Sequence, residues 1–148
     1  MKSKKIKVIS IIVVVVVLLV VIIIALIKNK KKIYNNYVQN LQYDVRITGV
    51  SNKPIEPTGY ASESTYYLVN YGRKIVYIVN DYYVFGSSED DPNYGSNYTV
   101  TKKSIDDEMV ETIKQIYNKE SVERSNANYK FEYKDKEVFV EDFTFYFK

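Results

Sequence analysis

Residues 64–86 read STYYLVNYGRKIVYIVNDYYVFG, and the fold turns on how this stretch is paired. Tyr, Val and Ile suit a pleated surface, and they flank Asn70-Tyr71-Gly72-Arg73 on both sides. The pattern predicts a hairpin in which Gly72 supplies a positive φ at the turn. Ile75–Val79 is apolar at every position, so a period of two places apolar groups on both faces. That is the signature of a central strand covered from both sides. Asn80-Asp81 reads either as a second tight turn or as a bulge inside one long strand, and periodicity does not choose between them.

Outward from this hairpin the signals alternate between loop and strand. Residues 50–59, VSNKPIEPTG, carry two prolines and a glycine and read as a loop. Residues 87–97, SSEDDPNYGSN, read as an acidic surface loop, and NYTVTK at 97–102 alternates like another strand. The period then changes. In SIDDEMVETIKQIYNKE, residues 104–120, Ile105, Met109, Ile113 and Ile116 share one stripe, with Val110 and Tyr117 beside it. Ser104 is the expected N-cap and Asp107 stands three residues on, as in a capping box. This predicts an amphipathic helix over 104–119.

The ending, NYKFEYKDKEVFVEDFTFYFK, reads as a second hairpin turning at Asp135-Lys136. Val138 and Val140 share a face, whereas Phe143, Phe145 and Phe147 fall in the opposite phase; a bulge near Glu141-Asp142 would reconcile them. The expected fold is therefore α+β: an antiparallel sheet of about five to seven strands with one helix packed on it.

Ahead of this domain stands MKSKKIKVISIIVVVVVLLVVIIIALIKNKKK. Val8–Ile27 holds twenty uncharged residues, eighteen of them Val, Ile or Leu. A helix of that length spans about 30 Å, the thickness of a bilayer's hydrocarbon core. Fifteen of the eighteen are β-branched, but a lone strand in lipid would leave its amides unpaired at several kcal/mol each. Insertion of the eighteen is favourable by about 5–11 kcal/mol. A cleaved signal peptide would have an apolar run of about 7–15 residues ending in small side chains; here the run passes directly into lysines. The chain divides into a basic tail (1–7), a transmembrane helix (8–27), a basic and partly helical juxtamembrane segment (28–44) and one α+β domain (45–148).

Orientation rests on fine differences. Lys2, Lys4, Lys5 and Lys7 precede the span, and Lys28, Lys30, Lys31 and Lys32 follow it, so the positive-inside comparison nearly cancels. The short basic tail favours an N-terminus inside the cell and a domain outside it, and the absence of cysteine suits that side. Lys28, Lys30, Lys31 and Lys32 read as contacts to lipid headgroups. Tyr34 and Tyr37 fit either an interfacial aromatic belt or a stripe packed on the domain.

Composition narrows the chemistry. Residues 1–32 carry eight lysines and no acid; residues 33–148 carry 13 basic and all 18 acidic residues, a net of −5. A domain of that sign is a poor partner for nucleic acid, whose binding rests on phosphate neutralisation. Lys, Asn, Ile and Tyr make up 62 of 148 residues, the bias of AT-rich codons, which points to a bacterial source. With no His, Cys or Trp, His-based triads, thiol nucleophiles and zinc sites of nitrogen or sulfur are excluded. Asp91, Asn93, Gly95 and Asn97 alternate as in a calcium loop, but Lys102 stands where that loop needs a bidentate Glu. No cofactor, metal, nucleic-acid or small-molecule site emerges.

Sixteen tyrosines against six phenylalanines suit a half-exposed sheet. They also raise a candidate partner surface at Tyr66, Tyr67, Tyr82, Tyr83, Tyr94 and Tyr98. The reading is a single-pass membrane protein whose domain binds an envelope or membrane protein without catalysis. Its alternatives are a membrane-held regulator facing the cytoplasm, or a carboxylate enzyme acting on envelope polysaccharide. The last requires two acids facing each other across a groove at about 5–9.5 Å.

Overall fold

The computed structural model describes residues 2–50, 61–86, 88 and 93–147, with side chains from residue 9 onward. The loop expected at 50–59 and the acidic positions 89–92 therefore lie almost wholly outside the described residues. One helix, α1 (Lys2–Gln39), runs from the basic tail through the apolar run without a break. About half of it is the expected span, and beyond Ile27 it continues straight through the lysine collar. The juxtamembrane segment is thus helical to Gln39, and residues 40–44 turn the chain back. By length and composition this one helix is able to cross a membrane, and none of its apolar window is buried against the domain.

Six antiparallel strands follow: β1 (Val45–Gly49), β2 (Ala61–Asn70), β3 (Ile75–Val84), β4 (Gly95–Ser104), β5 (Tyr129–Tyr133) and β6 (Lys136–Val140). Their order is β4-β3-β2-β1-β5-β6. A second helix, α2 (Asp107–Ile116), sits between β4 and β5, with a 3-10 turn at Arg124–Asn126. The expected α+β domain with a mostly antiparallel sheet and one packed amphipathic helix is what forms.

The 64–86 stretch makes β2, a turn and β3. Ten rungs pair the strands from Ala61↔Val84 to Asn70↔Ile75. β3 is unbroken through Asn80-Asp81, where Asn80 pairs with Thr65 on one side and Thr99 on the other. Thr65 Oγ1 donates to Asn80 Oδ1 at 2.7 Å, so the polar pair is absorbed as a cross-strand contact, without a turn or bulge. At the hairpin turn the positive φ belongs to Lys74 (φ 50°) and not to Gly72. Asn70 Oδ1 accepts from the Arg73 N–H at 2.9 Å, and that side-chain bond shapes the loop in place of glycine's freedom.

The sheet buries both faces. On one, Val45, Ile47, Val69, Val76, Phe131 and Val138 meet Ile105, Met109, Val110, Ile113 and Ile116. The apolar stripe of α2 is as expected, but the helix is shorter than 104–119. Ser104 closes β4, and the cap is Asp106, whose Oδ1 accepts from the Met109 N–H at 2.8 Å. Asp107 and Glu108 lie in the first turn, at the positive end of the helix dipole. Asp outcompetes Ser here because the Ile105 N–H is drawn onto the Lys74 carbonyl at 3.0 Å, which holds residue 104 in the sheet.

On the other face, Val38 from the last turn of α1 and Leu41 just beyond it pack on Leu68, Ile75, Tyr77 and Val79. The apolar both-faces run at 75–79 thus has two covers: α2 on one side and the far end of α1 on the other. Side chains of α1 also reach the outer edge of β4. Lys31 Nζ donates to the Tyr94 carbonyl at 2.5 Å, Asn35 Nδ2 to the Ser96 carbonyl at 3.1 Å, and the Val100 N–H to Tyr34 Oη at 3.2 Å. The opposite edge, β6, is met by residues 121–122: Val122 N–H donates to the Phe139 carbonyl and Phe139 N–H to Ser121 Oγ.

The C-terminal hairpin turns at Lys134-Asp135, one residue earlier than expected, with Lys134 at φ 50°. No bulge resolves the phase conflict after Val140. The strand simply ends, and residues 141–147 cross back over the sheet as irregular chain. Phe143 stacks edge-on against Phe131, and Phe145 against Phe143, each at 4.9 Å, while Phe145 meets Tyr67 at 4.6 Å. Once released from the ladder, the phenylalanines face the same core as Val138 by wrapping over it.

Candidate functional site

The chain direction fixes which end of the domain adjoins the apolar run. α1 leaves the lysine collar and runs along β4 from Tyr94 towards Val100. The start of β4, the end of β3 and the start of β2 therefore lie near the collar. The β2–β3 turn, the β5–β6 turn and the end of α1 lie at the far end. That far end is tied together by Asp44: its N–H donates to the Val69 carbonyl at 2.8 Å and its Oδ2 accepts from the Tyr71 N–H at 2.7 Å. Asn70 Nδ2 adds a bond to the Gln42 carbonyl at 3.0 Å.

Of the collar lysines, Lys28, Lys30 and Lys32 are exposed on the helix, whereas Lys31 is turned onto the domain at Tyr94. Tyr34 packs on the domain, its hydroxyl accepting from the Val100 N–H, while its ring stays exposed beside Tyr37 at 5.9 Å.

The six candidate tyrosines do not gather into one surface. Tyr66 is half-buried against the α1-side core with Arg46 stacked 4.4 Å over its ring; burial, and next the neighbouring Tyr98, raises its phenol pKa. Tyr98 packs on the same cluster. Tyr67 is on the opposite face under Phe145. Tyr94 is half-buried where Lys31 docks. Only Tyr82 and Tyr83 are open, at 51% and 39% exposure, with Phe85 at 38% beside them. Phe85 stacks on Tyr83 at 6.4 Å; its exposure was not visible in the pattern, because Val-Phe-Gly reads equally well as the end of a buried strand.

The most concave part of the far end is a cleft of about 490 Å³ lined by Tyr43, Asp44, Arg46, Glu132, Tyr133 and Lys134. Its residues come from two segments, 43–46 and 132–134, that lie far apart in the chain, so linear spacing carries no trace of it. It mixes two aromatic rings with charges of both signs, and Tyr43 is exposed at its rim.

Carboxylates do come together at one place. Glu132 and Glu137 are cross-strand partners, and Lys130 Nζ bonds to both, at 2.9 and 3.3 Å. The hydrogen bond to Glu132 is the largest of the effects raising the Lys130 pKa. Lys130 thus bridges the two acids as an ion pair. Among the described residues, no group of three or more His, Cys, Asp or Glu is placed to hold a metal ion.

A second polar anomaly lies under α2. Tyr71, Tyr117 and Tyr133 cluster with ring centroids 5.3–6.5 Å apart. The hydroxyls of Tyr71 and Tyr117 are buried without a hydrogen-bond partner. Burial raises both phenol pKa values well above the ordinary tyrosine range; for Tyr71 the next largest contribution is Tyr117, and for Tyr117 it is Glu132. Lys114 and Lys136 lie over the two rings at 5.5 and 5.9 Å, a cation–π arrangement that stabilises the packing.

The molecule is defined as a class: an α+β protein with a six-stranded antiparallel sheet, built onto one long N-terminal helix apolar enough to cross a membrane. No family model, no curated protein and no solved structure matches the chain.

Proposed function

We propose that this chain is a single-pass membrane protein that holds an acidic, Tyr-rich α+β domain outside the cytoplasm, where it binds another envelope or membrane protein without catalysing a reaction. The observation that carries the reading is the continuity of α1. One helix presents an unburied apolar run to its surroundings and then supplies Val38, with Leu41 just past its end, to the domain core. Such a helix fixes the domain's stance on a bilayer, so that one end faces lipid and the other faces outward. The outward end is the cleft of Tyr43, Arg46, Glu132, Tyr133 and Lys134. Tyr and Arg are the residue types most often found at protein contacts, and the cleft suits a polar segment of a partner protein.

Two C-terminal reporter fusions test the orientation, one active only outside the cytoplasm and one fluorescent only inside it. Activity of the first and darkness of the second are expected; the reverse pattern overturns the exported reading. Photo-crosslinking residues at Tyr43 and, as a control, at Lys103 test the surface. A discrete adduct at Tyr43 and none at Lys103 is expected in intact membranes. Equal labelling, or none at Tyr43, removes the cleft as the contact.

A further inference from the structure

Depth along α1 can be converted into depth of the domain. Ile27 is the last residue of the apolar run. Lys31, which bonds the Tyr94 carbonyl, lies four residues on, about 6 Å along the axis, and Asn35, which bonds the Ser96 carbonyl, about 12 Å along it. The headgroup layer on each side of a bilayer is about 5–7 Å deep. Lys31 and the Tyr94 carbonyl thus stand at the outer limit of the headgroups, and Asn35 with Ser96 about 5–7 Å beyond it. Tyr83 pairs with Ser96 and Tyr82 with Asn97, and Phe85 lies two residues nearer the bilayer, about 6–7 Å closer at the usual strand rise.

Among the described residues, these three rings are the open aromatics of that end of the sheet, at 51%, 39% and 38% exposure for Tyr82, Tyr83 and Phe85. Tyr82 and Tyr83 are successive residues of β3, so their side chains leave opposite faces of the sheet. With the strand end towards the collar, Phe85 is the ring that reaches the headgroups, and Tyr83 and Tyr82 stand just above it. An apolar body with a polar tip suits that boundary, which is why tyrosine concentrates there.

Given the anchored reading above, on which this inference rests, we propose that the end of β3 is a second membrane contact, with Phe85 seated in the headgroup layer of the bilayer crossed by α1 and Tyr83 and Tyr82 at its outer rim. The interaction is with the interface itself and not with anionic lipid. In sequence, the β3–β4 connection carries Glu89, Asp90 and Asp91, which oppose a negative surface, while the exposed Lys28, Lys30 and Lys32 supply the positive contact from the helix. The bilayer is thus held at two points, and the domain is prevented from swinging about its tether.

Because the chain has no Trp, single Trp substitutions report position cleanly. Full-length Phe85→Trp, Tyr83→Trp, Arg73→Trp and Val17→Trp are reconstituted in phosphatidylcholine vesicles carrying a nitroxide on the headgroup or at mid-chain. Phe85→Trp and Tyr83→Trp are expected to lose about half their emission to the headgroup label, and Arg73→Trp, at the far turn, none. Val17→Trp should be quenched by the mid-chain label. If Val17→Trp is quenched while both β3 variants stay as bright as Arg73→Trp, the second contact is refuted and the anchor stands. Equal quenching of Arg73→Trp and the β3 variants also refutes it, since the domain would then lie flat on lipid. If Val17→Trp escapes both labels, the anchored reading falls and this contact with it.

Discussion

Cutting the chain at two places around the end of α1 measures how much of the domain is built by that helix. A fragment covering residues 30–148 keeps the last helical turns; one covering 43–148 loses them. The longer fragment retains Val38 and Leu41, buried to 4% and 9% exposure against Leu68, Ile75, Tyr77 and Val79. Burying each such side chain contributes about 1.5–3 kcal/mol, so their joint loss costs about 3–6 kcal/mol, an upper figure because the unfolded chain is itself partly compact. The bonds from Asn35 to Ser96 and from Val100 to Tyr34 are exchanged for water and contribute about 1 kcal/mol each. That total is comparable to the whole stability of a small domain. Urea unfolding followed by circular dichroism has a slope of about 1–3 kcal/mol per molar for such proteins, so the midpoint of the shorter fragment is expected about 2 M lower, if it folds at all. Coincident midpoints would refute the claim that the far end of α1 is part of the core.

Other perturbations separate local assignments. Asp106→Ala is expected to cost about 1 kcal/mol of stability through loss of the cap, whereas Ser104→Ala, in the sheet, costs little; equal costs in chemical denaturation would contradict the cap. Phe131→Ala, at a fully buried site touching Phe143, should cost about 3–5 kcal/mol, and a chain ending at Asp142 should also be destabilised, because Phe143 and Phe145 cover that core. For Tyr71 and Tyr117 the folded pKa is raised above the unfolded value of about 10. Above pH 10 the unfolded chain therefore releases protons that the folded one keeps, so stability should be full below pH 10 and fall as pH rises beyond it. Tyr71→Phe and Tyr117→Phe should flatten that fall in urea titrations, and an unchanged slope would show that other groups drive it.

The elements most legible in the linear pattern are those whose signal is local. The apolar run, the 3.6-residue stripe of α2 and the both-faces character of Ile75–Val79 each appear in the fold as read. Boundaries followed contacts that spacing cannot show. Ser104 stayed in β4 because Ile105 bonds to Lys74, thirty-one residues away in the chain. Lys74 and Lys134, rather than Gly72, took the left-handed backbone, since the surrounding ladders and the Asn70 side chain dictate those turns. The phase reversal at Phe143 suggested a bulge because alternation assumes a strand continues; the chain instead left the sheet. The candidate tyrosines show the same limit most clearly. Tyr66, Tyr67 and Tyr98 carry the same local pattern as Tyr82 and Tyr83, and only the positions of Arg46, Phe145 and α1 decide which rings are covered.

The way α1 lies on β4 has a consequence for how the protein fails. β4 is the outermost strand of a long, flat ladder, and its free carbonyls and amides would template the addition of a strand from a neighbouring molecule. Asn35, Tyr34 and Lys31 occupy those groups from the side. Any event that lifts the helix away, such as proteolysis between the apolar run and the domain, bares this row along with the apolar patch beneath it. The released domain would then be prone to self-associate into β-rich aggregates, so the tether also serves as the sheet's guard against its own copies.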